Sequence, residues 1–169
     1  MKFYTRMKKI ITSGLLLIIS SFTISLFAQS ACVEYHKNCA RTQDDLYSIS
    51  EGSRSALLLK GQTSEFRFTI YEGKDYRFSV CGEESVGPHI QYQIIDWETN
   101  EVLYDNKVDN YLQVFEFTVL MTKTVRIVVT IPSGDDSSDA FNSSLRPKST
   151  SMGCVGVLIE EMITPKKGF

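Results

Sequence analysis

Side chains that change face at every step fill this chain from Arg54 onward, and a period of two excludes helices as the main building material there. In Ser64 to Ile70, Phe66, Phe68 and Ile70 fall on one side and Glu65, Arg67 and Thr69 on the other. That is the pattern of a strand with one face on a core and one toward water. Tyr76, Phe78 and Val80 repeat it after Glu72-Gly73-Lys74-Asp75, where Gly73 can supply the positive φ of a tight turn. Ser64 to Cys81 is therefore predicted as a hairpin. His89 to Asp96 and Glu101 to Asp105, around Trp97-Glu98-Thr99-Asn100, form a second. Leu112 to Leu120 and Thr124 to Ile131, around Met121-Thr122-Lys123, form a third.

With Arg54 to Lys60 ahead of these and Cys154 to Glu161 behind, the chain has about eight strands with turn signals roughly every 8 to 12 residues. The expected fold class is all-β, an antiparallel, jelly-roll-like β-sandwich over residues 54–169. Tyr71, Phe78, Phe115 and Phe117 are expected in its core. Two stretches break the rhythm. Residues 29–53 form an N-terminal helical or irregular segment, in which Cys32, Tyr35, His36 and Cys39 are spaced for one face of a short helix. Residues 133–153, rich in Ser, Asp, Gly and Pro, are expected to form a long loop.

The first 28 residues have a different logic. Lys8 and Lys9 precede an apolar run from Ile10 to Phe27 that closes on Ala28-Gln29, the order of an export signal. The run approaches the roughly 20 residues that span a bilayer, but Ser13, Gly14, Ser20, Ser21 and Ser25 dilute it. Cleavage after Ala28 is expected, so the membrane is met only through a transient signal peptide. The alternatives are a retained anchor and lipidation of Cys32, for which Gln29-Ser30-Ala31 lacks the usual aliphatic residue. The expected location is the periplasm or the outside of the cell.

Loss of the signal removes Lys2, Arg6, Lys8 and Lys9, leaving 14 basic against 20 acidic residues, a balance of −6. Such a surface argues against nucleic acid, whose phosphates demand basic groups, and gives no support for an anionic bilayer surface.

Four cysteines, Cys32, Cys39, Cys81 and Cys154, are expected to form disulfides in an oxidising compartment. If Cys32 to Cys39 is one continuous helix, seven steps of about 1.5 Å separate their α-carbons by roughly 10 Å, too far for a bridge. Each then pairs with Cys81 or Cys154. If the segment is irregular, Cys32–Cys39 and Cys81–Cys154 is the simplest arrangement. Zinc held by Cys32, His36 and Cys39 is the competing reading. Asp135, Asp136 and Asp139 offer oxygen ligands of the kind calcium takes, without EF-hand spacing; a solvated loop is expected, and no cofactor.

Catalytic signals are sparse. Of the two histidines, His36 lies in the cysteine-rich segment and His89 opens a strand beside Pro88. Neither has a nucleophile elbow nearby, and no phosphate loop or paired-histidine metal helix occurs.

The stretches KGQTSEFRFTIYEGKDYRFSVCGEE, VLYDN and GCVGVLIEEMITPKKGF, with a signal ending in LFAQ, resemble a family of small exported proteins of Bacteroidota-type bacteria. The likeness spans most of the mature chain. The order Gly-Gln, strand, Gly-Lys-Asp-Tyr-Arg, strand is more distantly similar to bacterial pre-peptidase C-terminal and GOLD-like jelly-roll domains. Those are accessory or binding modules, so the resemblance implies a non-catalytic sandwich and carries no catalytic residue over.

The expected function is thus an exported binding or accessory module whose partner is an envelope protein or a glycan. Trp97, the Asp105-Asn106 turn and the 133–153 loop are its candidate binding edge. A carbohydrate-binding module, on the strength of Trp97 and eight tyrosines, is the first alternative, and a hydrolase the second.

Overall fold

The structure, a computed structural model, describes residues 32–133 and 151–165, which belong to one compact unit spanning Cys32–Phe169. Nine strands occur among the described residues: β1 (Ser48–Ile49), β2 (Arg54–Leu59), β3 (Thr63–Ile70), β4 (Lys74–Gly82), β5 (Gln91–Asp96), β6 (Val102–Asp105), β7 (Val114–Thr118), β8 (Lys123–Thr130) and β9 (Met152–Ile163). They form two antiparallel sheets. In the first, β1 and β2 follow one another end to end along one edge of β9, with β4 and then β7 on its other side; in the second the order is β3-β8-β5-β6. The expected sandwich is the fold observed.

Pairing departs from expectation at two of the three hairpins. β3 pairs with β8, while β4 pairs with β9 and β7, so Ser64 to Cys81 is a crossover between layers. The segments around Met121-Thr122-Lys123 behave the same way, with β7 in one sheet and β8 in the other. Alternation reports which face meets the core, and it is identical whether two strands pair edge to edge or face each other across it. Phe68 shows the second case, its ring edge-on to Tyr76 at 5.8 Å and to Phe78 at 6.1 Å. The β5–β6 hairpin stands, with a register shift between Ile94 and Ile95.

Tyr76, Phe78, Val80, Tyr92, Ile94, Val125, Ile127 and Ile159 fill the space between the layers, each at most 2% exposed. Phe115 and Phe117 pack against that core from its border. Tyr71 does not join them. It follows β3, is 51% exposed, and has the Lys74 ammonium 5.6 Å above its ring.

β9 is buried on both faces from Gly153 to Glu160. Val155, Val157 and Ile159 face the core. Cys154, Gly156, Leu158 and Glu160 point the other way and are covered by the N-terminal segment. The predicted helix there shrinks to one 3-10 turn, Tyr35–Asn38, entered through Glu34 at φ 58° and left through an extended Cys39. Covalent anchoring overrides helical spacing. Cys32 bonds Cys154 and Cys39 bonds Cys81, so each cysteine of the segment reaches the sheet and the local bridge is not made.

Between these anchors the strap lies very close to β9, because a side chain on Gly156 would begin 2.5 Å from the His36 Cα. The Ser55 hydroxyl oxygen accepts from the His36 backbone N–H at 2.9 Å and lies 2.9 Å from its Nδ1. Further on, the buried Arg77 donates through Nη1 to Glu160 Oε2 and to the Ala40 carbonyl, both at 2.6 Å. Its Nε donates to Glu116 at 2.9 Å. Glu160, fully buried, also accepts from the Thr42 N–H at 3.1 Å and faces Arg41 at 3.5 Å.

Removing one member of a buried pair strands the other charge, which costs about 3–5 kcal/mol. Arg77→Ala is expected to lose about that much in a urea melt. Replacing Arg77 and Glu160 together by leucine is expected to restore most of it; a double variant no better than the single one would show that the strap needs the charges themselves.

Burial, reinforced by the positive Lys37 nearby, holds the His36 imidazole below its ordinary value of 6.5. A lowered folded value means that the neutral ring is the stabilised form. Its contribution is complete above pH 6.5 and is lost as pH falls through the lowered value. Denaturant midpoints are expected to drop on going from pH 7.5 to pH 5 more steeply for the native chain than for His36→Gln, and parallel profiles would contradict this.

Candidate functional site

The two long sides of the sandwich are finished differently. Where β2 meets β3, a tight turn through Lys60, Gly61 and Gln62 joins the layers, Gly61 taking φ +81°. Phe66 fills the gap behind it, leaving a void of about 40 Å³. On the opposite side the chain leaves β6 through a 3-10 turn, Asn106–Asp109, and returns to β7 past Asn110 and Tyr111, both at positive φ. There the edge strands β6 and β7 belong to different sheets, and a cleft of about 410 Å³ opens between them. That volume lies within the roughly 300–1,000 Å³ of ligand pockets.

The cleft is apolar from wall to mouth. Ile70, Ile94 and Val119 line it from the core, and Leu103, Leu120 and Met121 stand at the rim with 42%, 85% and 64% of their surface exposed. Tyr104 of β6 stacks on Phe115 of β7 with centroids 3.7 Å apart, which ties the two sheets together at one end. Phe117 continues the row at 5.4 Å. Burial raises the Tyr104 phenol above its ordinary value and does the same to Tyr92 beside it. Both therefore stay neutral in use.

Lys123 brings the one charge to the cleft lining, and that charge is compensated. Its Nζ lies 2.8 Å from Asp96 Oδ2. Asp96 Oδ1 accepts the N–H groups of Glu98 and Thr99 at 2.9 and 3.1 Å. The Lys123 ammonium, helped by these turn amides, holds the Asp96 carboxyl down at about 2. The β5–β6 tip and the cleft rim are thereby fastened to one another.

Trp97 and the Asp105-Asn106 turn, two parts of the expected binding edge, lie toward opposite ends of β5. Trp97 follows β5, whereas Asp105 pairs with Gln93 and the Asn106 side chain bonds the Tyr92 N–H, nearer the other end of the strand. From Gln91 to Asp96, five steps of about 3.3 Å place the strand ends roughly 16 Å apart. Asp105 is engaged by Gln91 and Gln93 and caps the following turn through the Lys107 N–H. Asn106 is 1% exposed. Its Oδ1 accepts from Tyr92 N at 2.8 Å and its Nδ2 donates to the carbonyls of Ile90 and Leu112 at 3.0 and 3.2 Å. It is a buried brace.

Trp97 is half-buried, with the Arg67 guanidinium carbon 3.4 Å from its ring centroid. That face of the indole is covered.

Cys32 and Cys39 are in disulfides, as expected, so neither offers a thiolate for the competing zinc reading. Asp135, Asp136 and Asp139 lie outside the described residues, as does most of the 133–153 loop; its last residues, Met152 and Gly153, already belong to β9. His89 precedes β5 and packs its ring 5.0 Å from Tyr111.

Leu103, Leu120 and Met121 were not singled out from sequence, although a signal existed. Val119-Leu120-Met121 is an apolar run at a place where a connection calls for polar residues. An exposed apolar group at a cleft mouth is the informative departure from ordinary surface.

Fold and site together define a disulfide-fastened, two-sheet β-sandwich with an apolar cleft between its open edges. Disulfides at separations of 122 and 42 residues mark it as a protein of an oxidising compartment. Among the described residues no helix is long and apolar enough to cross a membrane. No family model matches the chain, and no curated protein matches it. Among solved structures, it is similar to PliG of Aeromonas hydrophila, a periplasmic inhibitor of g-type lysozyme. That likeness has 8% identity and a TM-score of 0.41, over 74% of this chain and 92% of the other. A likeness of this strength carries no functional inference.

Asn106→Ala leaves the Tyr92 N–H and two carbonyls unpaired, each such loss costing about 1–3 kcal/mol. The variant is expected to melt well below the native chain, with its disulfides intact by mass. An unchanged melting temperature would return Asn106 to the list of binding residues.

Proposed function

We propose that this chain is an exported, non-catalytic binding module of the periplasm or cell envelope. Its cleft between β6 and β7 takes an apolar group of a partner protein. The observation that carries the reading is the cleft itself, about 410 Å³ with an apolar rim and its single charge already neutralised. The basic-apolar-small order of the first 28 residues and the two disulfides support export.

A protein partner suits this site better than a glycan. Sugars are held by open aromatic faces and fans of hydrogen bonds, whereas the cleft offers aliphatic and ring carbon, and Arg67 covers a face of Trp97. Hydrolysis draws little from the geometry. In the strap, the Ser55 oxygen accepts the His36 backbone N–H beside its Nδ1 contact, which makes the pair a fastening.

Leu103, at the rim of an edge strand, can be charged without opening the core. The uncharged dye N-phenyl-1-naphthylamine is expected to bind the native protein saturably. Leu103→Glu is expected to weaken it about tenfold, a change of 1.4 kcal/mol, with the melting temperature kept. Non-saturable dye uptake, or equal binding by the variant, would refute the cleft as the site.

A further inference from the structure

We propose that Arg67 and Arg126, beside Trp97 on the outer face of the second sheet, bind carboxylate side chains of an acidic segment in a partner protein. This site is separate from the cleft and is recognised by different chemistry.

Arg67 and Arg126 are register partners on β3 and β8. Their strand neighbours Phe66, Phe68, Val125 and Ile127 pack into the core, so both guanidinium groups point to the outer face. Like charges placed directly opposite each other in a sheet are destabilising. Compensation within the protein is incomplete. Arg126 donates through Nη2 to Asn100 Oδ1 at 3.2 Å, while its Nε is buried without a hydrogen-bond partner. That Nε forms an ion pair with Glu65 at 3.7 Å, a carboxylate that is itself 57% exposed and so screened by water. Arg67 has the ring of Trp97 against it, and no carboxylate lies within ion-pair distance of it among the described residues.

The indole explains why the pair is held ready. A guanidinium carbon 3.4 Å from the ring centroid forces the group to lie nearly flat, because a steep tilt would drive one nitrogen into the ring. Its N–H groups then radiate sideways in a fixed plane. A carboxylate uses this fork bidentately, with a strength about twice that of a neutral hydrogen bond. The Arg126 Cζ lies 6.0 Å from the centroid of the same ring, at the outer limit of a cation–π contact, so the indole fixes Arg67 and borders Arg126.

A protein carboxylate fits better than an acidic sugar. The sugar ring would need the indole face that Arg67 occupies, whereas a carboxylate needs only the edge of the guanidinium. The mature chain is acidic overall, at −6. Screening over about 8 Å at physiological salt nevertheless lets a local pair of cations act alone.

Trp97 is the single tryptophan of the chain, so its fluorescence reports this site. End-blocked tetraglutamate peptide, added to the folded, disulfide-bonded protein, is expected to change that emission saturably and more weakly as salt rises. Arg67→Gln and Arg126→Gln are each expected to weaken binding about tenfold, and Arg67→Lys, which keeps the charge without the fork, to fall between. Leu103→Glu is expected to bind the peptide normally, which separates this site from the cleft. Absence of a saturable response, or full affinity in Arg67→Gln, would overturn the proposal. So would inorganic phosphate or tetragalacturonate binding as tightly as the peptide, since the site would then not be one for protein carboxylates.

Discussion

The strap over β9 is the constraint on which the first sheet depends. In a two-layer sandwich each sheet keeps one face for water, and a strand can be buried on both only when something covers its outer side. Residues 32–47 provide that cover with little apolar surface of their own. Covalent closure and a buried charge network replace hydrophobic packing. Bonds from Cys32 to Cys154 and from Cys39 to Cys81 close long stretches of chain, restricting the unfolded ensemble by about 2–4 kcal/mol each. Arg77 and Glu160 then fix where the strap lies, because Arg77 donates to the Ala40 carbonyl while Glu160 accepts from the Thr42 N–H and faces Arg41. Gly156 removes the one side chain that would hold the two apart.

Fastening one side so firmly leaves the other comparatively free. β2, β9 and β4 are tied by the strap, whereas β7 is held by β4 alone and β6 by β5 alone. Edge strands with few neighbours are the low-stability part of a sheet, and exposed edges invite another chain. The Tyr104–Phe115 stack closes one end of the cleft, and the exposed Leu103, Leu120 and Met121 form its rim. An apolar group of the kind proposed to enter there would displace water from carbon surface without breaking any strand pairing.

Sandwich class was legible because alternation is a property of each strand alone. Phe66, Phe68, Tyr76 and Phe78 announced their inward faces, and Gly73 its turn. Partner choice was not legible, since a strand reads the same beside its sequence neighbour or across the core from it; β3 and β4 show this. The strap was half visible. A continuous helix would have ruled out a local bridge and an irregular segment would have favoured one; only a single 3-10 turn forms, yet both cysteines bond the sheet, so the pairing follows from where the strap lies and not from its local conformation. Glu160 carried no sign of burial, because its environment comes from residues about 118 positions away. In sequence Asn106 reads as a turn residue because its type favours turns, whereas its three internal hydrogen bonds belong to tertiary structure. The cleft escaped for a related reason. Leu103 lies on one sheet and Leu120 and Met121 on the connection between the two, so the opening exists only after both layers are assembled.

β8 relates the cleft rim to the guanidinium pair. Lys123 lines the cleft and Arg126, three residues on, faces outward; three steps along a strand make about 10 Å. Between them, the Trp97 N–H donates to the Thr124 carbonyl at 3.1 Å and Asp96 holds Lys123, so the two places cannot shift independently. They nevertheless look in different directions. A flat interface covers one or the other, and a partner engaging both must wrap the end of the second sheet, passing the tip at residues 97–100 and the connection at 119–122. An acidic segment leading into an apolar side chain, of the kind proposed for these two places, would have to be extended to follow that path.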